Sequence, residues 1–289
     1  MCFKVHRSQL ARFCTVFEDM LGVPSGGPDE ELIEDVVVVR MYDDAKDLTN
    51  FLSALYNGWT FNFDIHTPQN FPAIAGVMRL ATKYDCSVLR SRIFKTLTAR
   101  YPSPPHGIYT FYQDLVPHAS VINLARECDI PEVLPSCFYE LSFCTKGSDM
   151  GRTDTLSPTD RQRVMQGRSA ILRRLSKLVS EGMPGIVCPI AVSSHKAKGE
   201  RLKCITFMER YWEERVVAGS ESEGPIMVDP LKALSDLCSP EAEVVYGLMP
   251  FRFSEREKPM CGACKSEFNT HLQRIVYAKR TNLVVDFEL

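Results

Sequence analysis

The spacing of apolar side chains changes period several times along the chain, and each change predicts an element. Phe3 to Arg7 alternate apolar and polar, the two-residue period of a short strand. From Leu10 the period lengthens. Leu10, Phe13, Cys14, Phe17, Met20 and Leu21 fall on one face of a helix, with Ser8 as N-cap and Gly22 as stop. Pro24 to Asp35 is acidic and rich in glycine and proline, which predicts a loop. Val36 to Val39 is β-branched throughout and predicts a buried strand.

Asp43 or Asp44 is placed to cap the next helix. Its apolar face is Leu48, Phe51, Leu52, Leu55 and Tyr56, and Gly58 ends it. A loop rich in tryptophan and phenylalanine, with Pro68, leads to a helix marked by Ile74, Val77, Met78 and Ala81. Ser87 caps a further helix that buries Leu89, Ile93, Phe94 and Leu97. Phe17, Phe51, Leu52, Leu55 and Leu80 are expected to pack together as the centre of this region. The cluster Pro102 to Pro105 breaks the pattern and predicts a domain boundary.

Beyond it, Ala119 to Glu127 and Pro131 to Leu141 read as short helices, and Gly147 to Thr155 as a polar loop. Ser157 followed by Pro158 is an N-cap with proline at the first helical position. That helix runs through Val164, Ile171, Leu175 and Leu178 to Gly182. Gly185 to Gly199 is irregular, and Glu200 to Val217 is helical with Leu202, Ile205, Phe207, Met208 and Trp212 on a broad apolar surface. Ser220 to Gly224 reads as a loop, Leu231 to Cys238 as a short helix and Lys265 to Lys279 as the last helix. The division is therefore 1–100, 101–182 and 183–289. The fold class is α+β, predominantly helical, with a small sheet packed by helices and an all-helical region after it.

Composition narrows the function. A chain of 289 residues, 45% hydrophobic and 24% charged, can bury a core without staples. Its formal net charge of −2 exerts no global pull on nucleic acid or acidic membranes. The longest apolar runs fall far short of the ~20 residues that span a bilayer. No charged segment followed by an apolar run opens the chain, so no secretory leader is expected. The 11 cysteines are odd in number and scattered, several on apolar helix faces (Cys14, Cys86, Cys128), which fits reduced thiols and an intracellular, cytoplasmic or nuclear location.

Candidate chemistry is sparse. His6 has no nucleophile or carboxylate spaced to partner it, so a structural histidine is favoured over a catalytic base. His66, His106, His118, His195 and His271 form no metal-binding pair. Cys261-Gly-Ala-Cys264 is the sharpest local motif: such a turn presents two thiolates to one tetrahedral zinc. Cys188, His195, Cys204 and Cys238 could supply the remaining ligands, with Cys188 and Cys204 the first choice. A redox role is disfavoured because the pair does not follow a strand in a βαβ context, and the remaining alternative is that the pair is the first turn of the last helix, with ordinary thiols. Arg161, Arg163, Arg168, Arg173, Arg174 and Lys177 make one helix basic, but without aromatic interleaving this reads as a solvated face rather than a nucleic-acid site. Gly26-Gly27 lacks the lysine and hydroxyl of a phosphate loop, and no hydrolase, kinase or dinucleotide fingerprint appears. No catalytic residue and no cofactor is expected.

Five pieces in order resemble a BTB/POZ domain: Phe3, Val5, His6 and Arg7 with Leu10, Phe17 and Met20; Val36 to Arg40; Asp43/Asp44; Phe51 to Gly58 with Leu52, Leu55 and Tyr56; and Leu80, Ala81, Tyr84 and Leu89. The whole chain further resembles BTB proteins of mushroom-forming fungi, in which a cysteine-bearing helical tail closes on a segment like Leu283 to Leu289. The resemblance implies a non-enzymatic protein-interaction module that self-associates as a homo-oligomer or scaffolds other proteins. In a subset of the family it implies an adaptor between substrates and a cullin-type ubiquitin ligase. Competing readings are a nuclear transcription-associated regulator and a zinc-stabilised structural protein. The family's usual strand before the Phe3 segment is not present, so the resemblance also implies an unpaired sheet edge at Val5 and a tendency to associate.

Overall fold

A computed structural model of the chain describes residues 1–23, 31–34, 36–65, 67, 69–102, 118–143, 150–181, 197–217, 230, 264, 266–271, 273–274 and 283–289. Helices account for 73% of these residues, beside one small antiparallel sheet, so the α+β, predominantly helical class holds. Residues 1–103 and 110–137 form one compact unit, and 104–109 and 138–289 form a second.

The first unit opens with two short helices, α1 (Arg7–Phe13) and α2 (Thr15–Gly22), in place of the single helix expected. Cys14 between them is extended (φ −133°, ψ 110°). Its N–H still closes α1 onto Leu10 O (3.0 Å), and its own carbonyl opens α2 by accepting from Glu18 N (3.0 Å). Leu10, Cys14 and Phe17 are all buried. Ser8 lies inside α1, and the N-cap is His6, without a side-chain bond. The expected strand at Phe3 to Arg7 does not form: residues 1–6 are irregular, and Arg7 is already helical. The unpaired edge at Val5 is therefore not there, because the alternating pattern finds no ladder partner.

The sheet consists of β1 (Leu32–Ile33) and β2 (Val36–Val37), paired Leu32 with Val37 and Ile33 with Val36. β1 lies within the stretch expected to be a loop. Glu34 at the turn has φ 51°, and Val38 N–H donates to Glu31 O (2.8 Å) just outside the ladder. The β-branched run is not buried. Val36, Val37 and Val39 are all exposed, because the helices pack on one another and leave the ribbon uncovered.

Three helices form the centre of this unit: α3 (Ala45–Tyr56), α4 (Phe71–Lys83) and α5 (Ser87–Arg100). Asp44 caps α3, its carboxylate accepting from Lys46 N and Asp47 N at 2.9 Å each. Phe51, Ile74, Val77, Met78, Ala81 and Ile93 are fully buried, and Phe17 and Leu80 nearly so. Leu52 and Leu55 are half-buried and Tyr56 is exposed, so Leu48, Phe51 and Ala54 form the buried face of α3. Tyr84 joins the core, its ring stacked on Phe17 (4.3 Å) and tilted against Phe51 (6.2 Å). A Cβ at Gly76 of α4 would overlap the Asp47 carboxylate, which is how closely α3 and α4 approach.

Two helix ends use aspartate where glycine is usual. α4 stops with Asp85 at φ 50° and Cys86 N–H bonded to Ala81 O (2.8 Å). The helix α6 (His118–Glu127) stops with Asp129 at φ 52° and Ile130 N–H bonded to Ala125 O (2.9 Å). Both are Schellman turns, in which the left-handed residue frees the chain to satisfy the last carbonyls.

After a 3₁₀ turn at Pro131–Val133 comes α7 (Leu134–Phe143). In the second unit, Met150–Thr155 is a 3₁₀ helix rather than the expected loop. α8 (Pro158–Glu181) starts as its sequence predicts, with Ser157 Oγ accepting from Asp160 N (3.1 Å). α9 (Ala197–Trp212) continues as a π-helical segment to Val217, burying Met208 and Trp212. A short helix, α10 (Leu283–Asp286), packs on α8. Phe287, just beyond α10, is fully buried, stacked on Phe138 of α7 (5.6 Å), and Asp286 pairs with Arg174 of α8 (2.6 Å). The expected elements at Gly185 to residue 196, Ser220 to Gly224 and Leu231 to Cys238 lie outside the described residues.

Candidate interaction surface

The β1–β2 ribbon concentrates exposed aliphatic surface. Alternate residues of a strand point to opposite faces, and paired residues share one. Leu32 and Val37 therefore lie on one face, Ile33 and Val36 on the other. Their exposures are 56% and 39%, then 49% and 51%, so neither face is covered. Val39 continues the strip at 44%. Among the described residues no further strand pairs with either edge. An isolated two-stranded hairpin is marginally stable in water, so a ribbon that buries neither face gains little from its own packing.

Charged groups frame it. Arg40 donates from Nε (3.1 Å) and Nη2 (2.9 Å) to Glu31 Oε2, bracketing the ribbon's open end. Lys4 Nζ pairs with Glu34 at the turn (2.8 Å), tying the N-terminal segment to the ribbon. These pairs are exposed and contribute about 0–1 kcal/mol each. Further exposed apolar side chains in the same unit are Val16, Met20 and Val23 on or just after α2, and Tyr42 and Trp59.

The other sequence candidates fall as follows. His6 is exposed and engaged locally: its backbone N–H donates to Tyr56 Oη (2.8 Å), and its carbonyl caps α1 by accepting from Gln9 N and Leu10 N. His118 is buried at the start of α6, its Nδ1 3.2 Å from Tyr101 Oη. Burial and then the nearby Arg274 lower the pKa of His271. Cys261 and Cys188 lie outside the described residues, as do His66, His106, His195 and Cys238, while Cys204 and Cys264 are buried. Among the described residues no three His, Cys, Asp or Glu side chains gather as metal ligands.

The basic helix α8 is not simply a solvated face. Arg163 pairs with the buried Asp160 (2.8 Å) and Arg174 with Asp286 (2.6 Å). Arg168 lies over the Phe143 ring (5.6 Å), and Lys177 reaches Glu181 (3.6 Å). Arg163 and Arg174 thus turn to buried carboxylates, while Arg161, Arg173 and Lys177 are exposed.

Sequence reasoning missed two arrangements: the uncovered ribbon, and the seat of Phe287 against Gly167 of α8. A glycine midway along a 24-residue helix was a visible signal for the second. The chain matches no known family profile, no curated protein and no solved structure. Among the described residues no helix is long and apolar enough to cross a membrane.

Proposed function

We propose that this chain is a non-enzymatic protein-interaction module of the BTB/POZ type, which self-associates through the β1–β2 ribbon. The carrying observation is the ribbon itself: four paired aliphatic residues exposed on both faces, with no further strand on either edge among the described residues. Exposed apolar surface and unpaired strand edges are costly to leave in water and are relieved by a partner that supplies a strand or an apolar face. A second copy of the chain supplies both. The order of the BTB-like sequence pieces supports the same reading. Within it, the protein serves as an intracellular scaffold or as an adaptor to a cullin-type ubiquitin ligase.

Light scattering over a concentration series tests the self-association. The chain should dimerise or assemble further, and Ile33→Lys together with Val37→Lys, one on each face, should return it to monomer with unchanged helical circular dichroism. A wild-type chain that stays monomeric at high concentration overturns the reading. Affinity capture from native cells separates the two roles: recovery of a cullin marks the adaptor, recovery of the chain alone the scaffold.

A further inference from the structure

The four-residue helix α10 is too short to be stable by itself, and two adjacent side chains hold this segment in place. Asp286 and Phe287 are buried, at 5% and 0% exposure, while Val285 before them and Glu288 after them are exposed. Glu288 is left-handed (φ 51°) and closes the turn, its N–H donating to Val285 O (3.2 Å).

Each buried side chain meets its own feature of α7 and α8. The Phe287 ring stacks on Phe138 of α7 (5.6 Å) and fills the space left open at Gly167 of α8. The Asp286 carboxylate pairs with Arg174 (2.6 Å), further along α8, and a buried carboxylate is tolerated only where it is paired. The walls of this seat are joined without the segment. Ser142 Oγ of α7 lies 3.3 Å from Val164 O of α8, and Arg168 of α8 lies over the Phe143 ring of α7 (5.6 Å).

We propose that the seat formed by α7 and α8 is a peptide-binding site for a short segment with an acidic residue directly before an aromatic one, and that Asp286–Phe287 of this chain occupies it in cis as an exchangeable ligand. The chemistry of the seat sets what it takes. Gly167 leaves depth beside Phe138 for a flat ring, and Arg174 meets the residue before that ring and selects a carboxylate. The contacts between α7 and α8 remain when the segment leaves. Of the segment's described side chains only Asp286 and Phe287 are buried, so it can lift locally without opening the helices beneath it. A partner that carries the same acidic–aromatic pair binds by displacing it.

The test uses the full chain with Phe287→Ala, which empties the ring's place, and a fluorescent peptide of residues 283–289 with blocked ends. A tethered segment acts at an effective concentration on the order of millimolar, so a seat filled in cis should bind the free peptide below about 1 mM. Anisotropy should show saturable binding to the Phe287→Ala chain, and binding at least about tenfold weaker to the wild-type chain, whose seat is already filled. Unlabelled peptides carrying Asp286→Asn or Phe287→Ala should not compete. The chain carrying Gly167→Ala together with Phe287→Ala should keep its helical circular dichroism and not bind, because the added Cβ occupies the ring's place. The proposal is overturned by no saturation up to about 1 mM peptide, by equal binding to the wild-type or the Gly167→Ala chain, or by equal competition from the altered peptides. If Phe287→Ala does not fold, the wild-type chain is titrated with the same peptide bearing a photoreactive phenylalanine in place of Phe287. Labelling within α7 or α8 that plain peptide competes away supports the site, and labelling elsewhere or none overturns it.

Discussion

Gly167 of α8 lies directly beneath the ring of Phe287: a Cβ at that position would overlap the ring edge. Glycine inside a helix costs about 1 kcal/mol relative to alanine. Here the missing side chain makes the space that the buried ring fills.

Gly167→Ala should therefore change sign with its partner. In the wild-type chain it should destabilise by about 2–4 kcal/mol. It forfeits most of what truncating a buried phenylalanine costs, about 3–5 kcal/mol, and regains about 1 kcal/mol of helix propensity. In a Phe287→Ala background it should stabilise by up to about 1 kcal/mol. Denaturant titration of the four proteins checks this, and the same sign in both backgrounds would remove Phe287 from the seat.

On α3, neighbouring residues should differ sharply. Phe51 is fully buried, whereas Leu52 is only half-buried. Phe51→Ala should cost about 3–5 kcal/mol and Leu52→Ala less than the ~2 kcal/mol lower limit for a buried leucine. Equal losses in urea midpoints would show that α3 is rotated from the face described.

At the end of α6, Asp129 takes the left-handed conformation that favours glycine (φ 52°). Left-handed geometry costs an L-residue about 1–2 kcal/mol, and glycine loses roughly 0.5–1 kcal/mol more in chain entropy. Arg90 donates to the Asp129 carbonyl (3.4 Å) and the Cys128 carbonyl (3.1 Å), contacts that a substitution there retains. Asp129→Gly should thus stabilise by about 0.5–1 kcal/mol. A fall in melting temperature would refute this.

Alkaline pH should weaken the first unit. Lys83 is held above the ordinary lysine range, first by its hydrogen bond to Asp43 and then by Tyr84. Tyr84 is held above the phenol range, first by burial and then by the hydrogen bond it donates to Asp43. Both groups keep their protons in the folded state at a pH where the unfolded chain has released them. The stability this supplies is complete below their unfolded values, near pH ~10, and is lost as pH rises through the folded values. Urea midpoints should fall above about pH 10, and Tyr84→Phe should make that fall shallower. An unchanged slope would show that the phenol is not held up.

Much of the helical part was legible because helical period is a local property. The face of α4, three of the four residues expected on the buried face of α5 (Leu89, Ile93 and Leu97, but not the half-buried Phe94), the Asp44 cap and the Ser157–Pro158 start follow from side-chain direction and nearby hydrogen bonds alone. What covers a face is not local. Val36 to Val39 read as a strand on propensity, and Val36 and Val37 are one, but whether its faces are buried depended on where the helices packed, and they packed on each other. The break at Cys14, extended between α1 and α2, has no signal in the helical period, which runs unbroken through Leu10, Cys14 and Phe17. Asp85 and Asp129 carry no glycine-like signal, so two helix ends were invisible until the carbonyls they satisfy were in place. Gly167 was visible as a misfit, but its reason, the ring of Phe287, came from the far end of the chain. The sequence by itself determined most of the helical stretches and where α3 and α8 begin, but not the extended ones: Phe3 to Arg7 forms no strand, and β1 lies in a stretch that reads as loop. Only the tertiary structure decided which faces are covered and which rings and charges meet, because burial depends on residues distant in sequence.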